Sequence, residues 1–242
     1  MPRQARILLP GVTLHLLQRS NNRSDCFYAE DDYLYYCEIL KDQAKKHGCA
    51  IHAWCLMSNH IHLLLTPLNS GSVGLMMKGL NQRYVQYINR YYHRSGTIWE
   101  GRFHSCLMNE DDYVLACYRY IELNPVTAGL VAHPSEYRWS SYRGNAHAEL
   151  SSLISPHPLY QSFGESRTQQ SDIYREHFRY QINPNLVDQI RTAINGNYAV
   201  GSPRFTSEIE SAAGRKVTRG RPGRPRKTPR TEFSLLEPTS TI

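Results

Sequence analysis

Two histidines two residues apart give the strongest chemical signal in this sequence. His60 and His62 lie in residues 57–65, an apolar run that stops shortly before Pro67 and therefore predicts a buried strand. Side chains alternate faces along a strand, so both imidazoles point the same way. Neutral imidazoles bind divalent cations. The spacing fits either a metal-binding pair or two hydrogen-bonded structural histidines, and alone it does not separate the two.

A tyrosine and an asparagine lie one helical turn apart further along the chain. Tyr120 and Asn124 are four residues apart in a predicted helix, so they share one face. A phenol can act as a nucleophile, and an amide oxygen can bind a hard cation. The ordinary alternative is that Tyr118 and Tyr120 pack the helix while Asn124 caps its end.

Together the two patterns describe a phosphodiester-cleaving site. A cation held by His60, His62 and Asn124 would neutralise a phosphate and hold it near the Tyr120 hydroxyl. An unperturbed phenol has a pKa of about 10, so it must lose its proton during attack. The sequence does not identify the base that would accept this proton.

The elements that must position these residues alternate in type. The patterns indicate strands at 7–19, 49–57, 59–66 and 97–108, and helices from Asp31 to about 47, over 73–93 and from Asn109 to about 123. The short link between the second and third strands favours an antiparallel pair. We therefore predict an α+β fold, with an antiparallel sheet and helices on one face, followed by one or two helices within 172–195.

The charge is concentrated near the C-terminal end of the sequence. The 242 residues carry a formal net charge of +7, and eight basic residues and no acidic ones lie between positions 214 and 230. The remaining residues include 20 basic and 21 acidic side chains, so they are close to neutral. A basic segment beside a neutral body predicts a polyanionic partner, and nucleic acid is the obvious one.

The composition favours a cytoplasmic protein without a membrane span. No stretch approaches the roughly 20 apolar residues that a spanning helix needs, and the first residues make a poor secretory signal. The six cysteines form no C-x-x-C pair, which fits reduced thiols in the cytosol.

Several basic and polar residues are candidates for DNA contact. In the body these are Arg19, Asn21, Arg23 and Arg102, and Arg102 lies beside Trp99 and Phe103, whose rings could stack on unpaired bases. For Trp99, packing in the core is an equally good interpretation. In the tail they are Arg219, Arg221, Arg224, Arg226 and Lys227. The tail segment contains Arg-Gly-Arg-Pro, which resembles an AT-hook and could enter a narrow A·T-rich minor groove. The alternative is a solvated basic tail with salt-dependent affinity only.

Five short motifs occur together in an order that resembles a known family, the REP-associated tyrosine transposases. They are Pro10-Gly11-Val12 with His15 and Arg19, then residues 57–62, 99–103, 120–131 and 139–142. The resemblance is strong over about residues 8–145 and looser through residues 196–202 to the tail.

The resemblance implies a ferredoxin-like nuclease fold with a His-hydrophobic-His metal motif. It implies Mg²⁺ or Mn²⁺ on His60, His62 and Asn124, and Tyr120 as the nucleophile that cleaves single-stranded DNA at hairpins, leaving a 5′-phosphotyrosine link. It also suggests a catalytic domain at 1–145, a helical extension at 146–205 and a flexible basic tail at 206–242, in a monomer or homodimer.

Two other functions remain open at this point. The chain could be a domesticated protein that binds hairpin DNA without mobilising it, which the sequence separates poorly from an active enzyme. It could also be a metal hydrolase of small molecules, although no carboxylate motif accompanies the histidine pair.

Overall fold

The computed structural model describes residues 6–109 and 111–218, and its centre is a five-stranded sheet in the order β2-β3-β1-β4-β5. The strands are β1 (Leu14–Arg19), β2 (Cys49–Met57), β3 (His60–Pro67), β4 (His104–Met108) and β5 (Ala199–Val200). The first four strands pair antiparallel, as predicted. The two-residue strand β5 adds to β4 in parallel, which the sequence pattern did not indicate.

Three helices belong to the predicted β-α-β-β-α-β-α order, and further helices follow. The three are α1 (Glu30–His47), α2 (Ser72–Tyr91) and α3 (Asp111–Glu122). The later helices are α4 (Asn124–Thr127), α5 (Tyr142–Ala146), α6 (Pro158–Gln161), α7 (Arg167–Glu176), α8 (Pro184–Gly196) and α9 (Pro203–Ala213). Within the described residues, no helix is long and apolar enough to cross a bilayer.

Helices cover both faces of the sheet, whereas the prediction placed them on one. Leu14 and Leu16 of β1 face a core shared with α1 and α2, and Leu17 faces a second core shared with α3, α5, α7 and α8. The physical reason lies in β2 and β3, which are buried along nearly their whole length. Strands that are apolar on both sides need cover on both sides.

The starts of several elements differ from the prediction. The strand predicted over 7–19 is extended only from Leu14. The segment predicted as a strand over 97–108 is extended only from His104, and Trp99 makes a single bridge to Ser20. Helix α1 begins at Glu30, and Asp32 rather than Asp31 stabilises its start by accepting hydrogen bonds from two backbone N–H groups.

The folded part of the chain continues past the expected start of the tail at residue 206. Helix α9 spans this position, and its residues Phe205 and Ile209 are buried in the same core as α1 and α2. Val217 is fully buried there as well. One apolar residue per turn is enough to anchor this helix, although its other residues are mostly polar.

A buried carboxylate ties α3 to the C-terminal helices. Glu122 is fully buried and accepts hydrogen bonds from Ser141 Oγ at 2.5 Å, Asn145 Nδ2 at 2.9 Å and Tyr174 O–H at 2.7 Å. Ser141 also accepts a hydrogen bond from the backbone N–H of Trp54 on β2. The two motifs at 120–131 and 139–142 therefore meet in one hydrogen-bond network. Burial raises the pKa of Glu122 to about 7, against the lowering effect of these donors.

We predict that Glu122→Gln removes a pH-dependent part of the stability. With a pKa of about 7 when folded and 4.5 when unfolded, Glu122 favours folding below pH 4.5, and this contribution is lost as the pH rises to 7. The loss is on the order of 3 kcal/mol. Urea unfolding at several pH values should show the variant gaining stability relative to the wild type as the pH rises.

The relevant quantity is the difference in free energy of unfolding between Glu122→Gln and the wild type at each pH. The buried histidines His15, His52, His60 and His62 have lowered pKa values, so they give an opposite slope below pH 6.5 in both proteins. An unchanged stability difference between pH 4.5 and 8 would show that Glu122 does not titrate in this range.

Candidate active site

Strand β3 presents His60 and His62 on the face that α3 covers. The ring centroids of the two histidines are 5.0 Å apart. A third histidine, His15, reaches the same place from β1, where it lies opposite Leu64 and beside His62. The centroids of His15 and His62 are also 5.0 Å apart. The alternation predicted from the sequence thus produces a cluster of three imidazoles.

Internal hydrogen bonds occupy the Nδ1 atoms of both predicted ligands. His60 Nδ1 lies 2.6 Å from the amide oxygen of Asn59, which can only accept, so His60 carries its proton on Nδ1. His62 Nδ1 lies 2.8 Å from His15 Nε2. In residues 6–109 and 111–218, no group forms a hydrogen bond with Nε2 of His60 or His62. These two Nε2 atoms are the ones able to bind a cation.

Burial keeps these imidazoles neutral. It lowers the pKa of His60 to about 4, helped by the charge of Arg19, and it lowers the pKa of His62 well below the ordinary value. A neutral imidazole has a lone pair available for a metal, whereas a protonated one does not. The pair is therefore ready to bind a cation at neutral pH.

Helix α3 places Tyr120 against this cluster. The centroid of the Tyr120 ring is 5.8 Å from that of His62 and 5.8 Å from that of His15. Tyr118 points elsewhere: it is 1% exposed and packs against Tyr174 in the core. Of the two tyrosines near the end of this helix, only Tyr120 combines partial exposure with contact to the histidines.

An arginine from the C-terminal extension lies over the Tyr120 ring. The guanidinium carbon of Arg191 on α8 is 5.9 Å from the ring centroid. Burial raises the pKa of Tyr120, and Arg191 works against this through its positive charge and a hydrogen bond. The sequence analysis missed Arg191, because nothing local to α8 connects it to a residue seventy positions earlier.

Asn124 both caps α3 and leaves an oxygen available. Its Nδ2 donates to the carbonyl oxygens of Tyr120 at 2.7 Å and Ile121 at 3.4 Å. Within the described part of the chain its Oδ1 accepts no hydrogen bond. Tyr120, Asn124 and Arg191 line one pocket of about 410 Å³. Asn124 therefore caps the end of α3 through its Nδ2 group, as considered from the sequence, and its Oδ1 atom is not used for capping.

The free Nε2 atoms of His60 and His62 are the candidate donors for a cation. Among the described residues, no three His, Cys, Asp or Glu side chains are arranged so that together they could hold a metal ion, because His15 is hydrogen-bonded to His62 rather than open to the same position. Asn124 lines the pocket that contains Tyr120, and His60 and His62 do not line that pocket. Imidazole nitrogens and an amide oxygen are donors that admit several divalent metals.

The predicted DNA contacts have different surroundings. Arg19 and Arg23 are exposed and line a small groove together with Asn59 and His60. Arg102 is exposed in a neighbouring pocket. Asn21 is partly buried, and its side chain donates to the carbonyl oxygen of Thr97, so it holds the loop in place.

The expected stacking residues are not available to DNA. Trp99 is 4% exposed and Phe103 is 5% exposed, so both rings belong to the core. The tail candidates Arg219, Arg221, Arg224, Arg226 and Lys227 lie outside the described residues.

Comparison with known proteins agrees with the motifs. Residues 9–124 match the sequence model of a family described as Transposase IS200 like. Over these residues, just under half of the chain, it is similar to the IS200-like transposases. Over 108 residues, 40% of the chain, it is 28% identical to a protein named "Putative REP-associated tyrosine transposase" from Haemophilus influenzae, and it spans 61% of that protein's length. The resemblance predicted from the sequence is confirmed.

A solved structure shares the fold. The chain superposes on a REP-associated tyrosine transposase bound to a REP hairpin with a TM-score of 0.50 and 19% identity, over 65% of this chain and 93% of the other. The α+β class, with a central sheet and a helical C-terminal region, is confirmed.

We predict that His15 sets the metal affinity of His62. For His62 Nε2 to bind a cation, Nδ1 must carry the proton and donate it to His15 Nε2. His15→Leu removes this acceptor and should weaken Mn²⁺ binding about 10- to 100-fold. His15→Gln places an amide oxygen near the lost nitrogen and should restore most of the affinity. Titration calorimetry measures the Mn²⁺ affinity of both variants and of the wild type.

Thermal unfolding of the two variants provides the control for folding. Equal Mn²⁺ affinity in His15→Leu and the wild type, with both proteins folded, would show that His15 only fills space.

Proposed function

We propose that the protein is a metal-dependent, single-strand-specific DNA endonuclease and strand transferase that acts on hairpin DNA through a 5′-phosphotyrosine intermediate. The observation that carries the proposal is the position of Tyr120, whose ring centroid is 5.8 Å from that of His62. A potential nucleophile and a potential cation site therefore share one surface, although they are far apart in the sequence.

Each residue has a distinct task in this proposal. The phenolic oxygen of Tyr120 attacks phosphorus, the bond from phosphorus to the 3′ oxygen breaks, and the leaving oxygen takes up a proton to become a 3′-hydroxyl. His60, His62 and Asn124 would hold Mg²⁺ or Mn²⁺, and the bound cation would supply Lewis-acid polarisation of a phosphate oxygen. Attack by a 3′-hydroxyl on the phosphotyrosine reverses the reaction and joins strands.

Arg191 supports the ionised phenol. Its charge lies near the Tyr120 ring and opposes the effect of burial on the pKa of the hydroxyl. A positive charge near the attacking oxygen favours the phenolate without requiring a strong base. The base that receives the proton remains unassigned.

The substrate class follows from the surface and from the relatives. Arg19 and Arg23 lie beside His60 in an exposed groove, where they can contact phosphates on either side of the cleaved bond. The relative with a solved structure is bound to a REP hairpin. We extend hairpin recognition from that protein to this one as part of the proposal.

We predict that Tyr120→Phe abolishes covalent attachment to DNA and that Tyr118→Phe does not. The probe is a pool of single-stranded hairpins with randomised loops and flanks, labelled at the 3′ end because the 5′-phosphotyrosine link retains the downstream fragment, incubated with Mn²⁺ and analysed on a denaturing gel. Wild type and Tyr118→Phe should retain label on the protein, whereas Tyr120→Phe should retain none and EDTA should prevent retention.

Tyr118→Phe is a matched control because it removes a hydroxyl two residues away that is buried in the core. A covalent adduct formed by Tyr120→Phe would contradict the proposal. Binding of hairpins without any adduct in the wild type would favour a domesticated DNA-binding protein instead.

We predict that Arg191→Gln shifts the pH dependence of adduct formation upwards. Arg191 lowers the pKa of Tyr120, so removing its charge raises this pKa, and the increase in rate with pH should begin at a higher pH. Arg191→Lys should retain most of the wild-type profile. Arg179→Gln is the control, because Arg179 lines the same pocket but pairs with Glu176. An unshifted profile in Arg191→Gln would exclude this role.

A further inference from the structure

A pocket of about 380 Å³ lies next to the groove that contains His60. We call it the Arg102 pocket. Its walls come from three distant parts of the chain: the segment before β1, the segment before β4 and the link between α8 and β5. The residues that matter for its chemistry are Arg6, Arg19, Glu100, Arg102, Gly196 and Tyr198.

Arg6 and Arg102 both line this pocket. Arg6 is fixed by a hydrogen bond from its Nε to the carbonyl oxygen of Phe103 at 2.7 Å, and its guanidinium carbon lies 3.8 Å from the centroid of the Phe103 ring. Burial and the charge of Arg102 lower the pKa of Arg6 to about 10. Both side chains line the same pocket, so two guanidinium groups face one cavity.

The positive charge is not neutralised by neighbouring acids. Glu100 is the one acidic residue that lines the pocket. Across residues 6–109 and 111–218, no carboxylate comes within ion-pair distance of Arg6, Arg19 or Arg102. Converging guanidinium groups without acidic partners form a site for an anion, and a phosphate accepts their paired N–H donors well.

An aromatic ring also lines the pocket. Tyr198 is partly exposed and lies against Gly196, where an added Cβ would come within 2.0 Å of the ring carbon Cε2. Glycine at this position allows the ring to take its place beside the pocket. A partly exposed ring next to charged guanidinium groups suits a nucleotide, because the base can stack while the phosphate is bound.

Arg19 connects this pocket to the candidate active site. It lines the Arg102 pocket and also the groove formed by Arg23, Asn59 and His60. A strand whose cleaved phosphate lies near His60 can therefore continue past Arg19 into the pocket. In the described part of the chain, no ion pair between these lining residues lies across this path.

We propose that the Arg102 pocket binds a nucleotide of the single strand that flanks the cleaved phosphate, with its phosphate on Arg6 and Arg102 and its base against Tyr198. The proposal rests on the proposed function, since it assumes that single-stranded DNA crosses the candidate active site. It assigns substrate binding to Arg6 and Tyr198, and it makes residues 196–198 part of the DNA-binding surface.

The test measures how much a single-stranded flank adds to hairpin binding. All proteins carry Tyr120→Phe, so that no cleavage intervenes. Fluorescence anisotropy compares a labelled hairpin stem alone with the same stem bearing six-nucleotide flanks on the 5′ side or on the 3′ side. In the parent protein one flank should increase the affinity. Arg102→Gln and Tyr198→Leu should each reduce the affinity gained from that flank about tenfold. Neither substitution should change the affinity for the stem without flanks.

Two controls separate this effect from general charge and from folding. Arg204→Gln removes an equal charge on α9, where Arg204 pairs with Glu208, and should leave the flank effect intact. Tyr198→Phe keeps a stacking ring and should also behave like the parent. A plot of log affinity against log salt concentration should become less steep in Arg102→Gln, by about the contribution of one phosphate contact. This change should appear only with the flanked probe.

The outcomes decide the two proposals separately. The pocket assignment is overturned if neither flank increases affinity, or if Arg102→Gln and Tyr198→Leu keep the parent's flank effect. A flank effect that depends on Arg102 while wild-type protein forms no covalent adduct would support the pocket and overturn the proposed chemistry. A covalent adduct without any effect of the flanks on affinity would support the proposed chemistry and overturn the pocket assignment.

Discussion

The antiparallel register between β1 and β3 is the constraint on which the candidate active site depends. It pairs Leu17 with His62 and His15 with Leu64, which brings His15 Nε2 to 2.8 Å from His62 Nδ1. A slip of one residue in β3 would turn His60 and His62 towards the core of α1 and α2. The apolar residues that alternate with the histidines prevent this, because Ile61 and Leu63 are fully buried on that opposite side.

The second requirement is that α3 holds one orientation above this face. Tyr118 and Glu122 are four residues apart and both are buried, so they fix the inner side of the helix. Tyr120 lies on the other side, with Asn124 one turn further on. The Glu122 network joins α3 to β2 through Ser141 and to α5 and α7 through Asn145 and Tyr174. The C-terminal extension therefore orients the helix that carries Tyr120, the proposed nucleophile, and through Arg191 it also adds a charge beside this tyrosine.

The sequence predicted what depends on local periodicity. The placement of both histidines on one face followed from strand alternation, and the pairing of Tyr120 with Asn124 followed from helical spacing. The order of the first seven elements was also predictable, because strands and helices differ in period and the breaks between them carry Gly, Pro or Asn. The identity of the family came from motifs, and the comparisons confirmed it.

What the sequence did not predict depends on contacts between distant segments. The roles of Arg6, Arg191 and Tyr198 arise only when the segments before β1 and after α8 meet the sheet. Trp99 and Phe103 beside Arg102 suggested stacking on bases, yet the same pattern also describes core residues next to one exposed arginine, and the fold adopts that arrangement. The sequence did not predict that helices cover both faces of the sheet, because the pattern of buried strands does not show which helices pack against each face.

The most direct test of the central claim is to identify the atom that becomes joined to DNA. Wild-type protein incubated with hairpin DNA and Mn²⁺ can be digested with protease and nuclease and analysed by mass spectrometry, while the released strand is tested for extension by a polymerase. The account predicts a nucleotide linked through its 5′ phosphate to the peptide containing Tyr120, together with an extendable 3′-hydroxyl. An adduct on any other residue, or cleavage that leaves no protein attached, would contradict it.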